Sequence, residues 1–306
     1  MPTTGSPSTT LVVPCYNEER RLPKAAFARY LADEATSGVH VLFVDDGSRD
    51  QTLPLLRRIA AAAPPGRAGV LALGSNCGKA EAVRRGMVHA LGKRESELVG
   101  FWDADLATPL CAVQQLASVL ASRSSVQMVF GARVALLGRR ITRHPVRHYL
   151  GRVFATLASF TLDLPIYDTQ CGAKLFRSSP ALRAVVGTPF LTRWVFDCEM
   201  IARYGALGAA GGHRCTLAEA IVEFPLEEWV DVAGSKVRKL DVLRMALGLL
   251  RIRIVYFLHE WPSGRRRPAL YSFAAGALCL LLVGALAALF VLHELTRAWR
   301  LLAAAR

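Results

Sequence analysis

The sequence predicts an α/β domain built on a mainly parallel sheet flanked by helices, with interfacial helices and one C-terminal transmembrane helix. Three observations carry this reading. Short apolar runs alternate with helical stretches up to about Arg133, at the spacing of βαβ units. Each of the first four runs ends in a polar cluster, where the strands of such a sheet bind ligands. Farther along, Ala269 to Leu292 run without a charge, and a helix of that length spans about 36 Å against a hydrocarbon core of about 30 Å.

The elements follow in order. Thr10–Pro14 is the first strand, with a helical stretch near Glu18–Ala35. Val39–Val44 is followed by a helix at Thr52–Ala63, and Val70–Leu73 by one at Lys79–Leu91. Leu98–Trp102 precedes a helix at Cys111–Ser122, and Gln127–Gly131 closes the series. Near-continuous Val, Leu and Phe suit strands buried on both faces. The expected organisation is a disordered 1–8, a catalytic domain over 9–235, a basic amphipathic segment over 236–267, the span 269–292 and a tail over 293–306.

Composition bounds the function. The 306 residues are 52% hydrophobic and 20% charged, which supplies a full core and excludes wholesale disorder. Mean hydropathy is +0.29, high for a soluble protein. Seven scattered cysteines without a CxxC pair argue against a disulfide framework and a structural zinc site. No secretory signal opens the chain, so its bulk is expected in the cytosol, and Arg265, Arg266 and Arg267 before the span agree. The expected location is therefore a single-pass membrane protein with its catalytic domain on the cytoplasmic face.

The net charge of +14 gathers between Arg139 and Arg152 and again from Lys236 to Arg267. Both clusters are interleaved with apolar residues and one abuts the span, which favours membrane lipids or a lipid phosphate over nucleic acid as partner. Leu240–Tyr256 sets Arg244, Arg251 and Arg253 among apolar residues and suits a helix in the interface, forming a platform with Phe154–Leu164. His144 and His148 have a zinc-binding spacing, but Pro145 lies between them and no carboxylate is nearby, so they read as interfacial residues. Trp194 and Trp229 could stack on a sugar or base, or pack in the core.

The strand ends are Pro14-Cys15-Tyr16-Asn17-Glu18-Glu19, Asp45-Asp46-Gly47-Ser48, Gly74-Ser75-Asn76-Cys77-Gly78-Lys79 and Asp103-Ala104-Asp105. Each alone is ordinary turn and cap chemistry. Four in succession point to a site. Asp103 and Asp105 alternate along an extended backbone, so they share a face and could converge on one hard cation, Mg²⁺ or Mn²⁺, holding a diphosphate. Neither GxGxxG nor GxxxxGK[ST] is present, which weakens the Rossmann and P-loop readings.

The segments LVVPCYNEE, VLFVDDGSRDQT, SNCGKAEAVRRGM and FWDADLATP, in this order, resemble family 2 inverting glycosyltransferases with the GT-A nucleotide-diphospho-sugar transferase fold. DTQCGAKLF (Asp168–Phe176), WVFDCEM (Trp194–Met200) and EEWVDVAGSKVRK (Glu227–Lys239) resemble dolichyl-phosphate β-glucosyltransferases and their bacterial polyprenyl-phosphate relatives. The resemblance covers Thr10 to about Tyr256. It implies that Pro14, Tyr16, Asn17, Glu18, Asp45 and Asp46 hold the nucleoside of a nucleotide-sugar donor, UDP-glucose. Asp103 and Asp105 match the metal motif, with Asp105 the direct ligand. Many mannosyl relatives carry Gln where Ala107 stands, which leaves room for water or a different site. Lys79 is either a phosphate contact or a surface lysine, and Lys236 closes over the donor by resemblance.

The implied reaction is attack by a polyprenyl or dolichyl phosphate oxygen on the anomeric carbon, with inversion. A phosphomonoester with a second pKa of roughly 6 is already ionised at neutral pH, so a protein base is not strictly required. Asp197 is the candidate base, with a structural role equally open. Bringing two anions together calls for cations: Arg133 and Arg147 as catalytic residues, with Arg143 and Arg152 beside them at the acceptor phosphate. The alternatives are the same chemistry with GDP-mannose, a different acceptor, or a non-catalytic sugar-nucleotide scaffold, which the intact Asp-Ala-Asp disfavours.

Overall fold

The computed structural model describes residues 7–93, 96–143, 145–211, 216–232 and 239–258. Five strands lie within two residues of the expected positions: β1 (Thr9–Cys15), β2 (Val39–Asp45), β3 (Ala68–Ala72), β4 (Leu98–Trp102) and β5 (Met128–Ala132). Between them lie α1 (Lys24–Ala32), α2 (Thr52–Ala62), α3 (Lys79–Lys93) and α4 (Ala112–Ser122). Only α1 departs clearly from expectation, starting at Lys24 rather than near Glu18. The amides of Asn17, Glu18 and Glu19 are taken by Ser48, Thr52 and Asp50 across the neighbouring loop. The Arg21 and Leu22 amides close a single turn on the Glu18 carbonyl, and Pro23, which has no N–H to continue it, stands at the N-cap where α1 begins.

The second half of the chain is more irregular. In order it forms β6 (Arg140–Thr142), α5 (Pro145–Leu162), β7 (Ala173–Arg177), α6 (Pro180–Val186), α7 (Phe196–Gly211), α8 (Leu217–Ala220), β8 (Ile221–Pro225) and β9 (Glu228–Val230). Helix α9 (Lys239–Arg253) runs into a π-helical turn at Ile254–Leu258. The main sheet has the order β3-β2-β1-β4-β7-β5-β8, and β6 and β9 form a separate parallel pair. Every ladder of the main sheet is parallel except those of β7, which runs antiparallel between β4 and β5.

Alternate residues of the buried strands feed two cores, as a period of two requires. Val12, Val44, Phe101, Phe130 and Phe176 pack on one side with Met87 of α3 and Phe196 of α7. Leu11, Val13, Phe43, Trp102, Val129 and Leu175 pack on the other with Phe27 of α1 and Leu116 of α4. The chain turns to opposite sides of β1, with β2 next to it on one flank and β4 on the other. That reversal opens a crevice beyond the carboxyl ends of β1, β2 and β4.

Helix α9 packs on α5 and α7. The expected basic face of this segment is corrected by its partners. Arg253 is only 3% exposed and donates to the carbonyls of Phe160 and Thr161 while pairing with Asp163 at 3.0 Å. Arg251 donates to the Leu191 carbonyl, and Arg244 pairs with Asp241. The apolar side is open: Leu243, Leu247, Ile254 and Val255 are exposed, as are Tyr149, Leu150 and Phe160 of α5. Among the described residues no helix is long and apolar enough to cross a membrane. The expected span Ala269–Leu292, Lys236 and His144 lie outside the described residues, and Arg147 lies outside those with described side chains.

Candidate active site

The loops after β1 and β2 are zipped into one wall. Besides the three amides already described, the Arg49 amide donates to Asn17 Oδ1, and Asn17 takes φ +50, a left-handed conformation that Asn tolerates. The adjacent carboxylates then divide. Asp46 accepts from the amides of Cys77 (2.7 Å) and Gly78 (2.8 Å) and from Asn76 Nδ2, so both its oxygens hold the loop that starts α3. The two adjacent carboxylates, expected to act as a pair, thus have different partners within the fold. Burial raises the Asp46 pKa, with the two amides working against the rise. Asp45 accepts from the Ser48 amide through Oδ2, while its buried Oδ1 has no partner among the described residues. Pro14 and Tyr16 are partly exposed beside it.

Asp103 and Asp105 follow β4 directly. Lys79 Nζ lies 2.5 Å from Asp103 Oδ1, and Arg21 spans Asp105 (3.4 Å) and Glu18 (3.7 Å). Burial raises the Asp105 pKa and the neighbouring Asp103 adds to it. Desolvation opposes the charge on Lys79, but Asp103, Asp197 and Asp105 outweigh it and raise its pKa. Two carboxylates that repel one another therefore already draw in two cations. Among the described residues no third His, Cys, Asp or Glu completes a metal cage. The donor set is two carboxylates, which supply only part of an oxygen shell, and it fits a cation whose remaining ligands are diphosphate oxygens and water.

The antiparallel β7 brings the second motif to this place. Trp102 is paired with Ala173, and the Asp103 amide donates to the Gly172 carbonyl at 2.9 Å. A Cβ at Gly172 would fall on the Asp103 carboxylate, so only glycine leaves that side chain its position. Just before it, buried Asp168 forms a two-pronged pair with Arg133 (2.6 and 2.7 Å) and also accepts the Arg133 amide. Burial opposes ionisation of Asp168, but Arg133 holds its pKa at about 2. The Asp168 and Tyr167 amides donate to Glu223 of β8, whose pKa burial raises.

This arrangement revises the expected roles of the cations. Arg133 is committed to Asp168 and to the face of Trp229, 5.3 Å from its centroid. Arg143 lies over the same ring at 5.8 Å, its pKa lowered by burial and by Arg133. Arg152 stacks on Tyr167 at 3.5 Å and donates to its carbonyl. Trp229 is thus a platform for guanidinium groups, while Trp194 packs against the core. Asp197, the expected base, pairs with Lys174 at 2.7 Å and accepts from Gln170. Lys174 is 1% exposed, lies 5.2 Å from the ring centroids of both Phe101 and Phe130, and donates to the Cys171 carbonyl.

Lys174, Arg21 and Glu223 were not among the expected site residues. Lys174 left a trace, a lone charge inside the apolar run Ala173–Phe176. Arg21 stands three residues after Glu18, a spacing that pairs side chains. Glu223 left none, because its partners are more than fifty residues away.

Residues 10–183 match the glycosyl transferase family 2 model. A dolichyl-phosphate beta-glucosyltransferase of Trichomonas vaginalis is 31% identical over 273 residues, 85% of this chain and 76% of that protein. The Homo sapiens dolichyl-phosphate beta-glucosyltransferase is 31% identical over 270 residues, 82% of this chain and 76% of its own length. Among solved structures, a Pyrobaculum calidifontis mannosyltransferase in complex with GDP-Man and Mn²⁺ superposes with a TM-score of 0.58 at 18% identity, covering 97% of this chain and 84% of that one. Mycobacterium tuberculosis glucosyl-3-phosphoglycerate synthase with Mn²⁺, UDP and glucosyl-3-phosphoglycerate gives 0.54 at 18% identity, covering 81% and 79%. At these identities the structures show the shared GT-A fold.

Proposed function

This chain belongs to glycosyl transferase family 2, and on that premise we propose that it transfers glucose from UDP-glucose to a polyprenyl or dolichyl phosphate with inversion. The observation that carries the reading is the similarity to dolichyl-phosphate beta-glucosyltransferases over 85% of the chain, beyond the 10–183 family match. Geometry supports each half of the reaction. The buried, unpartnered Asp45 Oδ1 suits a nucleoside N–H or hydroxyl donor. Asp103 and Asp105 would hold Mg²⁺ or Mn²⁺. Such an ion, when bound, neutralises charge on a leaving diphosphate. Lys79 and Arg21, already drawn to these carboxylates, would turn to the diphosphate oxygens.

On the acceptor side, an ionised phosphomonoester supplies its own nucleophile. The pairing of Asp197 with Lys174 supports a structural role for Asp197. Arg133, locked by Asp168, is a positioning residue that fixes Trp229. Arg143 is the cation on that platform closest in role to an acceptor contact, with Arg147 as a further candidate, while Lys236 is the candidate that closes over the donor. The exposed apolar residues of α5 and α9, with the charge-free stretch Ala269–Leu292, fit a membrane-anchored enzyme working at the cytoplasmic leaflet.

A transfer assay in detergent tests this: full-length protein, Mn²⁺ or Mg²⁺, a short polyprenyl phosphate, and labelled UDP-glucose or GDP-mannose in parallel. The expected result is a metal-dependent, solvent-extractable lipid-linked glucose. Product from GDP-mannose alone would overturn the donor, and no product from either, with UDP still binding, would overturn the acceptor.

A further inference from the structure

The loop between α6 and α7 carries a cation that the reaction outlined above does not use. Arg193 is exposed and makes no hydrogen bond or ion pair with any described residue. Arg133, Arg152, Arg177, Arg203, Arg251 and Arg253 all donate to acceptors within the fold.

Where Arg193 lies matters more than its exposure. A Cβ built at Gly78 would sit 3.8 Å from Arg193 Cδ and 3.9 Å from Nε, so the side chain runs over the loop that Asp46 anchors. The next residue is Lys79, on Asp103. Four residues after Arg193, Asp197 joins the same field through Lys174. The guanidinium is therefore beside the loop that joins Asp46 to Lys79.

The loop is also braced. The Leu191 amide donates to both oxygens of fully buried Glu199 (3.0 and 2.8 Å), and its carbonyl accepts from Arg251 of α9. Gly248 of α9 lies so close that an added Cβ would be 2.7 Å from Val195 and 3.3 Å from Thr192. A floppy surface arginine needs none of this. A long, planar, multi-donor group on a clamped loop is suited to recognise phosphate oxygens.

We propose that Arg193 is a phosphate-binding residue of the transfer site, held over the Gly78–Lys79 loop by Glu199 and α9. This rests on the glycosyl-transfer reading and adds a residue to it. The phosphoryl group belongs to the donor diphosphate or to the acceptor monoester, and the two are separable by experiment.

The test uses the full-length protein and its Arg193→Ala and Arg193→Lys variants. UDP binding in the presence of Mn²⁺ is titrated calorimetrically without acceptor. Binding of a short prenyl phosphate is measured separately, and thermal unfolding checks the fold. Loss of at least tenfold in UDP affinity for Arg193→Ala, partly regained in Arg193→Lys, with unfolding unchanged, assigns the donor. The same loss confined to prenyl phosphate assigns the acceptor. Unchanged affinity for both ligands overturns the proposal. Wild-type protein that binds UDP but transfers no sugar would instead count against the functional reading, leaving the Arg193 result to stand on the binding data.

Discussion

The half of the site that we propose takes the donor, on the ends of β1 to β4, and the half that we propose takes the acceptor, from Arg133 to Tyr256, are built on different principles. In the donor half, carboxylates at strand ends are held by the loops that follow the parallel strands and by the start of α3: Asp46 by the amides of Cys77 and Gly78, Asp45 by Ser48, and Asp103 by Lys79. In the acceptor half, cations are neutralised by partners far along the chain or buried beneath it: Arg133 by Asp168, Lys174 by Asp197, and Arg253 by Asp163 and two carbonyls. A strand end is a fixed address in a βαβ sheet, so the residue types found there disclose a site. A basic stretch has no such address, and its charge is visible in sequence whether or not it is already paired.

The largest expected effect lies where the halves meet. Gly172→Ala would push its Cβ into the Asp103 carboxylate. Such overpacking costs about 1–3 kcal/mol of stability, and a displacement near 1 Å at a reacting group costs about 10²-fold in rate. Transfer activity should therefore fall far more than unfolding temperature, and equal activity in the variant would mean that Asp103 is not placed by the antiparallel β7.

Next in size is the Arg133–Asp168 pair. Asp168→Asn leaves a largely buried guanidinium uncompensated, which typically costs about 3–5 kcal/mol and is read by chemical denaturation. The pH dependence has a definite sign. The Asp168 pKa is about 2, below the unfolded value of about 3.9. Its contribution is present above about 3.9 and lost as pH falls through about 2. In the donor half, Asp46 and Asp105 are raised, so their ionisation lowers stability as pH rises from the unfolded value through their folded values. The asparagine variant should lose the acid-side decline that Asp168 supplies and keep the opposing slope.

The smallest effects sharpen the comparison within α9. Arg244 is largely exposed beside Asp241, and its alanine variant should change stability by less than about 1 kcal/mol. Arg253→Ala strands Asp163 and two carbonyls, and thermal unfolding should show a clearly larger loss. Equal effects would restore Arg253 as a surface cation.

These differences explain what could be read from the sequence. The five strands and the helices α2 to α4 follow from apolar periodicity, which survives without tertiary information. Helix α1 begins later than the pattern suggests because the turn closed on the Glu18 carbonyl stops at Pro23, which cannot donate to continue it. Strand β7 left an ordinary apolar run, Ala173–Phe176, and nothing local says that it inserts antiparallel between β4 and β5. Hence Asp103 and Gly172 could each be noticed, but not their contact. Asp45 and Asp46 look equivalent in sequence, and only the folded Asn76–Gly78 loop separates the two.

Asp103 and Asp105 are expected to exchange Lys79 and Arg21 for a divalent ion when a nucleoside diphosphate binds. Electron paramagnetic resonance titration of Mn²⁺ with and without UDP, in wild-type protein and Asp105→Asn, tests it most directly. UDP-dependent immobilisation of Mn²⁺ in the wild type, reduced at least tenfold in affinity in the variant, is the predicted result. Equal Mn²⁺ binding by both proteins in the presence of UDP would contradict it.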